Sequence, residues 1–238
     1  MAVEKARQIA GLKDRHGEYW SKRSRHIHLE APAVGKLIYS AITSLDGYIA
    51  DGAGNFDWGE PDAQVHGYLN DLERSASVHL YGRKLYEVLA VWEDFYERTD
   101  LPQVYRDYAS LWHRARKIVF SRTLTEAVTA RTTVESSFDP AAIRRLKAET
   151  AGDLVIGGAE LAGQALLAGL VDELNLVISP ILVGGGKRAL PRNFTATLEL
   201  GGQRRFANGV VHLAYTVTGA AALGSGHQTP NEPAGEDR

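Results

Sequence analysis

Residues 153–190 read DLVIGGAELAGQALLAGLVDELNLVISPILVGGGKRAL, and this stretch decides the fold class. It begins with a short, nearly continuous apolar run, which is typical of a strand buried on both faces of a sheet. Gly157 and Gly158 then predict a turn, and the amphipathic pattern that follows predicts a helix over Glu160–Gly169. A second apolar run predicts another strand over Glu173–Leu182. This order indicates a sheet that is covered by helices.

The same alternation of strands and helices extends along the rest of the chain. Short runs rich in Val, Ile, Leu and Tyr predict strands at Lys36–Ile42, Ser77–Gly82 and Lys117–Ser121. Amphipathic patterns predict helices at Asp62–Ser75, Lys84–Val91, Leu101–Arg114 and Pro140–Thr150. Asp139 is the predicted N-cap of the last of these, with Pro140 at its first position. An Ala-Asn-Gly turn predicts a hairpin within Thr197–Thr218, so we expect one three-layer α/β domain with an antiparallel finish.

The two ends of the 238-residue chain depart from this pattern. Residues 1–35 carry many charged and His side chains and few large apolar ones, which predicts a polar N-terminal extension. Residues 219–238 are rich in Gly, Pro and polar side chains, and they bury too little apolar area to offset the entropy of ordering. We therefore predict a disordered tail there and a folded domain over residues 36–218.

The composition excludes several classes of function. Lys and Arg number 27 against 29 Asp and Glu, and the resulting net charge of -2 provides no field that would gather a nucleic acid. The sequence contains no Cys, which excludes disulfides, Cys-ligated zinc, iron–sulfur clusters and thiol catalysis. No segment has the roughly 18 uninterrupted apolar residues that a membrane span needs. We expect a soluble cytoplasmic protein without a metal, nucleic-acid or membrane partner.

Three predicted strand ends carry groups that can bind an anion. Gly157–Gly158 opens a helix N-terminus, where backbone N–H groups and the helix dipole favour negative charge. Arg83 and Lys84 follow a second strand, and Ser121–Arg122 follow a third. Ligands of open α/β sheets bind at such carboxyl ends, so a dinucleotide phosphate is one ligand that explains all three. A tight turn and solvated surface charges are the alternatives.

The sequence does not match two familiar nucleotide-binding motifs, because its glycines do not have the required spacing. The glycines at 157 and 158 do not follow G-x-G-x-x-G, the dinucleotide fingerprint. The run Gly184–Lys187 would need Gly and Ser or Thr at positions that hold Ile181 and Arg188, so it is not a triphosphate loop. A G-x-S-x-G elbow is also absent, which leaves a hydrolase triad without its nucleophile.

Five motifs in register resemble a known superfamily. They are TSLDGYIAD (43–51), YGRKLYE (81–87), KIVFSRTL (117–124), DLVIGGAEL (153–161) and LVDELNLVISPILVGGGKRAL (170–190). In this order they are similar to the dihydrofolate reductase-like superfamily, and within it to the C-terminal reductase domain of the riboflavin-biosynthesis deaminase-reductase. The resemblance covers about residues 36–217. It implies a mostly parallel eight-stranded sheet with an antiparallel C-terminal strand and an NADPH site at the strand ends.

The resemblance also implies roles for particular residues. Gly82, Arg83 and Lys84 would contact the cofactor phosphates, and Ser121 with Arg122 would hold the 2′-phosphate that distinguishes NADPH from NADH. Backbone of the β-α turn would wrap the pyrophosphate and nicotinamide half, through Gly157, Gly158, Ala159, Glu160 and Leu161. Ala41 would meet the nicotinamide amide, and the loop 44–47 would close over nicotinamide and substrate.

Asp46, in that loop, is our candidate catalytic residue. Its carboxylate could hydrogen-bond a substrate hydroxyl or assist proton delivery. An Asp that stabilises the Asp46-Gly47 turn is the alternative.

The predicted function is a stand-alone NADPH-dependent reductase that transfers hydride to a small carbonyl- or imine-bearing substrate. One candidate substrate is 5-amino-6-(5-phosphoribosylamino)uracil of riboflavin biosynthesis. A gap-free count from the Gly82-Arg83 pair brings His66 to the place of the folate reductases' first-helix carboxylate, which counts against a true dihydrofolate reductase. A catalytically silent nucleotide-binding protein with the same fold is a further alternative. The resemblance also predicts a homodimer, formed through the C-terminal part of the sheet.

Overall fold

The computed structural model describes residues 35–222 of the chain. The strands of this part are β1 Leu37–Ser44, β2 Tyr48–Ala50, β3 Ala76–Gly82, β4 Arg116–Phe120, β5 Thr132–Glu135, β6 Asp153–Gly157, β7 Glu173–Ser179, β8 Lys187–Arg188, β9 Phe194–Arg205 and β10 Val211–Ala222. Eight of them form one sheet in the order β5-β4-β3-β6-β1-β7-β10-β9, and β2 pairs with β8 in a separate two-stranded sheet.

The large sheet is parallel except at its C-terminal strand. Strands β5, β4, β3, β6, β1 and β7 pair in parallel, whereas β10 runs antiparallel to both β7 and β9. The predicted α/β class, the eight-stranded sheet and the antiparallel C-terminal strand are therefore confirmed. Strand β7 is shorter than predicted because it ends before Pro180, which has no N–H to donate to a ladder.

Six α-helices connect the strands in the described part of the chain. They are α1 Ala63–Leu72, α2 Arg83–Leu89, α3 Val91–Tyr96, α4 Gln103–Arg114, α5 Pro140–Glu149 and α6 Ala159–Leu167. The predicted cap of α5 is confirmed, because the carboxylate of Asp139 accepts hydrogen bonds from the N–H groups of Ala141 and Ala142. None of the helices within residues 35–222 is long and apolar enough to cross a membrane.

The sequence prediction missed the short strands β2 and β8, and two further elements, helix α3 and strand β5. Helix α3 has six residues, which is too short for a periodic pattern to be distinguished from the end of the preceding helix. Strand β5 alternates between half-buried and exposed residues at the edge of the sheet, so it lacks the continuous apolar run of the central strands. Neither element changes the order of the central strands.

The core lies around the central strands, as their apolar sequences predict. Residues 154–157 of β6 are buried without interruption. Leu154 and Ile156 share one core cluster with Leu37, Leu80 and Leu166. Burial of such side chains contributes about 1.5–3 kcal/mol each. The core thus fixes the positions of β3, β6 and β1, and with them the positions of their carboxyl ends.

The C-terminal hairpin is longer than predicted. Its turn is closed by a hydrogen bond from the Phe206 N–H to the Val210 carbonyl, with Ala207-Asn208-Gly209 between them. Strand β10 continues to Ala222, where it pairs with Phe194 of β9. The boundary predicted at residue 218 is therefore four residues short, because backbone pairing continues into a stretch whose composition gives no apolar signal. Residues 223–238, and the extension predicted before residue 35, lie outside the described residues.

Candidate active site

The carboxyl ends of three neighbouring strands bring the predicted anion-binding segments together. Strand β3 lies between β4 and β6, and the register pairs Gly82 with Phe120 and Tyr81 with Gly157. The three strands therefore end at nearly the same level. We call this region, formed by residues 82–84, 121–122 and 157–161, the strand-end edge.

The Gly157–Gly158 turn is shaped for close approach of a ligand to the backbone. Gly158 has a φ of +90°, which L side chains rarely adopt, and a Cβ built there would lie 3.8 Å from the amide N of Gly82. A Cβ on Gly157 would lie 2.5 Å from Leu85 Cδ2. Helix α6 follows with no side-chain oxygen capping its first turn. The turn thus offers a positive helix end next to a second, side-chain-free strand end.

At this edge, two residues of α6 are buried and a third forms an ion pair. Ala159 and Leu161 are buried, so a ligand would meet their backbone rather than their side chains. Glu160 forms an ion pair with Lys187 of β8, with 2.9 Å between Oε1 and Nζ. This hydrogen bond and the Lys187 charge lower the pKa of Glu160. The pair links the first turn of α6 to β8.

The basic side chains of the edge are accessible to solvent. Arg83 donates to Glu87, one helical turn later, over 2.7 Å. Lys84 and Arg122 are exposed. Ser121 Oγ accepts hydrogen bonds from the N–H groups of Thr123 and Leu124, so it stabilises the turn after β4. The phosphate contacts predicted for these residues stay predictions.

Asp46 joins two loops next to the sheet. Its Oδ1 and Oδ2 accept hydrogen bonds from the N–H groups of Val183 and Gly184, over 3.2 and 2.8 Å. The hydrogen bond with the Ser44 side chain, together with these backbone donors, lowers the pKa of the carboxyl group. Asp46 is not among the described residues that line the main cavity. These contacts tie the loop of Asp46 to residues 183–184 rather than closing its own turn, and its catalytic role stays a prediction.

A cavity of about 550 Å³ opens beside the strand-end edge. Ala41 and Gly157, two of the predicted cofactor residues, lie in its wall together with Tyr81 and Leu85. Its size is within the usual range for small-molecule sites, about 300–1,000 Å³. Among the described residues it is also lined by Ser40, Ile42, Glu60, Pro61, His66, Leu69, Asn70, Glu73, Leu89, Trp92, Phe95, Tyr105, Tyr108, Val155, Ile156 and Val177.

Aromatic rings from α1, α3 and α4 form one wall of the cavity. The ring centroids of Trp92 and Tyr108 are 4.8 Å apart in an edge-to-face arrangement. His66 packs against Tyr105 and Tyr108, with centroids 5.0 and 5.7 Å away. We call these four residues the aromatic wall. Because the rings support one another, they present a rigid apolar surface to a ligand.

Two polar groups are set into this apolar surface. The Tyr108 hydroxyl donates to Glu73 Oε2 over 3.0 Å. Burial raises the pKa of Glu73 to about 7, an effect that this hydrogen bond opposes. Burial and the Glu73 charge raise the pKa of Tyr108 well above its usual value, so its hydroxyl remains a donor. Glu73 can therefore exchange a proton near neutral pH.

His66 is held in one orientation by a chain of hydrogen bonds. Asn70 Nδ2 donates to the Val104 carbonyl over 2.8 Å, which fixes Asn70 Oδ1 as the acceptor for His66 Nδ1 at 3.0 Å. His66 thus carries its proton on Nδ1 and leaves Nε2 as an acceptor. Burial lowers the pKa of His66, which keeps the ring neutral at pH 7.

Sequence reasoning did not identify Glu73 or Tyr108. A signal existed for the aromatic residues, because Tyr105, Tyr108 and Trp112 recur at helical spacing along α4. This spacing does not distinguish a core residue from a residue that lines the cavity, because Trp112 is fully buried whereas Tyr105 lines the cavity. For Glu73 no local signal exists, since its hydrogen-bond donor is 35 residues away along the chain.

A metal site has no candidate within residues 35–222, which contain no group of three or more His, Asp or Glu side chains placed to hold an ion.

Comparisons with known proteins agree with the fold. Residues 35–212 match the family model of the RibD C-terminal domain. The uncharacterized protein YyaP of Bacillus subtilis is 29% identical over 184 residues, which are 76% of this chain and 94% of that protein. A crystal structure of a protein from Shewanella sp. PV-4, described as a putative riboflavin biosynthesis protein, is similar with a TM-score of 0.59 at 23% identity, covering 76% of this chain and 98% of that one.

A longer protein shares the fold. The diaminohydroxyphosphoribosylaminopyrimidine deaminase/5-amino-6-(5-phosphoribosylamino)uracil reductase of Thermotoga maritima is similar with a TM-score of 0.53 at 16% identity. The match covers 77% of this chain but 56% of the Thermotoga chain. The dihydrofolate reductase-like fold class predicted from the motifs is therefore confirmed. Because the family model matches residues 35–212, most of the described sheet included, this chain belongs to the RibD C-terminal domain family.

Proposed function

We propose that this protein is an NADPH-dependent reductase of a small carbonyl- or imine-bearing substrate. The observation that carries the proposal is the contact between two regions: the cavity shares Gly157 with the strand-end edge. A nicotinamide bound across that glycine turn would reach the cavity while its phosphates remained at the edge. When bound, NADPH supplies a hydride to the C=O or C=N carbon and leaves as NADP⁺, and a proton completes the alcohol or amine.

The strand-end edge fits the phosphate part of such a cofactor. Gly82 has open space where a Cβ would be, and Gly158 adopts a left-handed conformation beside it. These glycines allow a phosphate to approach the amide groups at the start of α6. Arg122, exposed at the end of β4, is the group we assign to the 2′-phosphate. That contact would favour NADPH over NADH.

The cavity fits the reacting part of the substrate. Its apolar wall excludes water, which protects the transferred hydride and strengthens the polar contacts that remain. Ala41 offers backbone groups to the nicotinamide amide. Tyr108 Oη and the Glu73 carboxyl are the groups that can hold or release a proton inside the cavity.

Oxidation of NADPH, followed at 340 nm with the full chain, tests the proposal. The panel contains dihydrofolate, small aldehydes and ketones, cyclic imines and 5-amino-6-(5-phosphoribosylamino)uracil. We expect substrate-dependent oxidation with at least one carbonyl or imine compound. NADPH binding without turnover of any compound would instead favour a silent nucleotide-binding protein, and turnover of dihydrofolate alone would favour a folate reductase.

We also propose that the protein is a homodimer. Strand β9 is a long edge strand of the described sheet, and its Leu198 and Leu200 are 38% and 50% exposed. Such an edge is available for pairing with a second chain. Light scattering coupled to size-exclusion chromatography should give twice the chain mass, and the variant with Lys at both leucine positions should shift toward the monomer. A monomeric parent protein would contradict this proposal.

A further inference from the structure

We infer that the substrate part of the cavity binds a flat, unphosphorylated nitrogen compound, an aromatic amine or an N–H-bearing ring, rather than a phosphate ester. The inference rests on the proposed function, because it assumes that the cofactor occupies the strand-end edge. It concerns the remaining space, between the aromatic wall and Glu73.

The charges that line the cavity argue against a phosphate ester. The Asp, Glu, Lys and Arg side chains that line it within residues 35–222 are Glu60 and Glu73, both carboxyl groups. A phosphate ester carries negative charge, and like charges in a partly desolvated site repel each other strongly. The exposed basic side chains near the site, Arg83, Lys84 and Arg122, lie on the strand-end edge, which the cofactor phosphates would use.

The shape and the apolar lining of the cavity favour a flat ring. The aromatic wall faces a ligand with Trp92, Tyr105 and Tyr108, and aliphatic side chains such as Leu69 and Leu85 complete the lining. A flat ring stacks on or packs edge-on against such rings, and a cationic ring gains further from their faces. A sugar phosphate would leave most of its hydroxyl and phosphate oxygens without donors on this surface.

Glu73 has a carboxyl oxygen that can accept a hydrogen bond from a ligand. Tyr108 donates to its Oε2, and no residue in the described part of the chain donates to Oε1. An N–H group of a ligand would supply that missing hydrogen bond, and a charged nitrogen would form an ion pair. The same carboxyl group, held against the aromatic wall, would then orient the ring relative to Gly157.

Titration calorimetry on the full chain, saturated with NADP⁺, tests the inference with two matched pairs of probes. The first pair is 2-aminobenzimidazole and indole, which are similar in size and differ in the amino-imidazole group that a carboxylate can bind. The second pair is 5-amino-6-(ribosylamino)uracil with and without its 5′-phosphate. We expect 2-aminobenzimidazole to bind about tenfold or more tighter than indole, and the phosphate to weaken binding by about tenfold or more.

The Glu73→Gln variant identifies the group responsible. It should lose about tenfold or more of the affinity for 2-aminobenzimidazole while its affinity for indole stays within about twofold. Glu149→Gln, which removes an exposed carboxyl group at the end of α5, should change neither affinity. Any of three results would overturn the inference. The phosphorylated uracil could bind as tightly as the unphosphorylated one or more tightly, neither probe of the first pair could bind, or the Glu73→Gln variant could keep the parent's affinity for 2-aminobenzimidazole.

A separate titration keeps this inference distinct from the proposed function. NADPH is titrated into the protein without the probes, and the probe titrations are repeated without NADP⁺. Loss of NADPH binding with retained 2-aminobenzimidazole binding would contradict the reductase proposal alone. Normal NADPH binding with preference for the phosphorylated probe would contradict the inference alone.

Discussion

The strand-end edge and the cavity beside it meet at Gly157 but differ in every other respect. The edge contains three glycines and three basic side chains, and each of its three segments is a short run of consecutive residues. The cavity is aromatic and carries Glu60 and Glu73, and its lining comes from residues between Ser40 and Val177. Under the proposed function, a nucleotide phosphate binds at the first region and the substrate binds in the second. We therefore expect changes at the edge to alter cofactor binding and changes in the cavity to alter substrate binding.

The largest effect is expected at the glycine turn of the edge. Gly158→Ala places a Cβ where φ is +90° and where a phosphate would approach, so it should weaken NADPH binding by about 3 kcal/mol, on the order of 100-fold. Gly169→Ala is the matched control, since it also has a positive φ, +62°, but lies at the other end of α6. Fluorescence titration should show normal NADPH affinity in the control, although both variants lose stability. Equal loss of NADPH affinity in both variants would show that strain, rather than the edge, is responsible.

The next effect concerns the 2′-phosphate. Arg122→Ala should remove one charge-assisted contact, worth roughly 1.5–3 kcal/mol or about 10- to 100-fold in NADPH affinity, and leave NADH affinity unchanged. Arg145→Ala, which removes an exposed arginine from α5, serves as the control. Parallel titrations with both nucleotides measure the ratio of the NADPH affinity to the NADH affinity in each variant. Equal losses for NADPH and NADH would place the 2′-phosphate elsewhere.

In the cavity, Glu73 should make stability depend on pH. Its pKa is raised from 4.5 to about 7, so between these values the native state holds a proton that the unfolded chain has lost. The free energy of unfolding therefore falls as pH rises through this window. Glu73→Gln has no carboxyl group to ionise, so it should be more stable than the parent by about 3 kcal/mol at pH 8, with no difference at pH 4. Urea unfolding at both pH values measures this.

Glu149→Gln again serves as the control for that measurement, and its difference from the parent should be the same at pH 4 and pH 8. A Glu73→Gln variant that is less stable than the parent at pH 8 would show that the charged carboxylate is favourably paired in the folded protein.

The smallest effect is expected at Asp46, which belongs to neither region. Asp46→Asn should lower the melting temperature slightly, because it disturbs the hydrogen bonds from Val183 and Gly184, and leave NADPH affinity unchanged. Asp51→Asn is the control, since Asp51 binds backbone N–H groups only within its own loop. A large loss of kcat with an unchanged melting temperature would instead support the catalytic role predicted for Asp46.

The two regions also differ in how far the sequence predicts them. The edge could be anticipated because each segment, such as Gly157–Gly158 after an apolar run, follows directly from a local pattern. The parallel order of β4, β3 and β6 then makes these segments neighbours. The C-terminal limit of the sheet was misjudged, because Gly219–Ala222 pair through backbone groups that composition does not reveal.

The cavity could not be anticipated in the same way. Glu73 follows an ordinary amphipathic helix. Burial raises its pKa, and a hydrogen bond from a hydroxyl on another helix opposes that rise. His66 was noticed only by counting along the chain. The orientation of its ring depends on Asn70, and burial lowers its pKa. Environments that are assembled from distant residues leave no periodic or compositional signal.

The central claim is that the strand-end edge is an NADPH site. Fluorescence titration of the full chain with NADPH and, in parallel, with NADH tests it most directly. The account predicts saturable binding of NADPH, tighter than that of NADH by about tenfold or more. Absence of saturable binding of either nucleotide at millimolar concentration would contradict it.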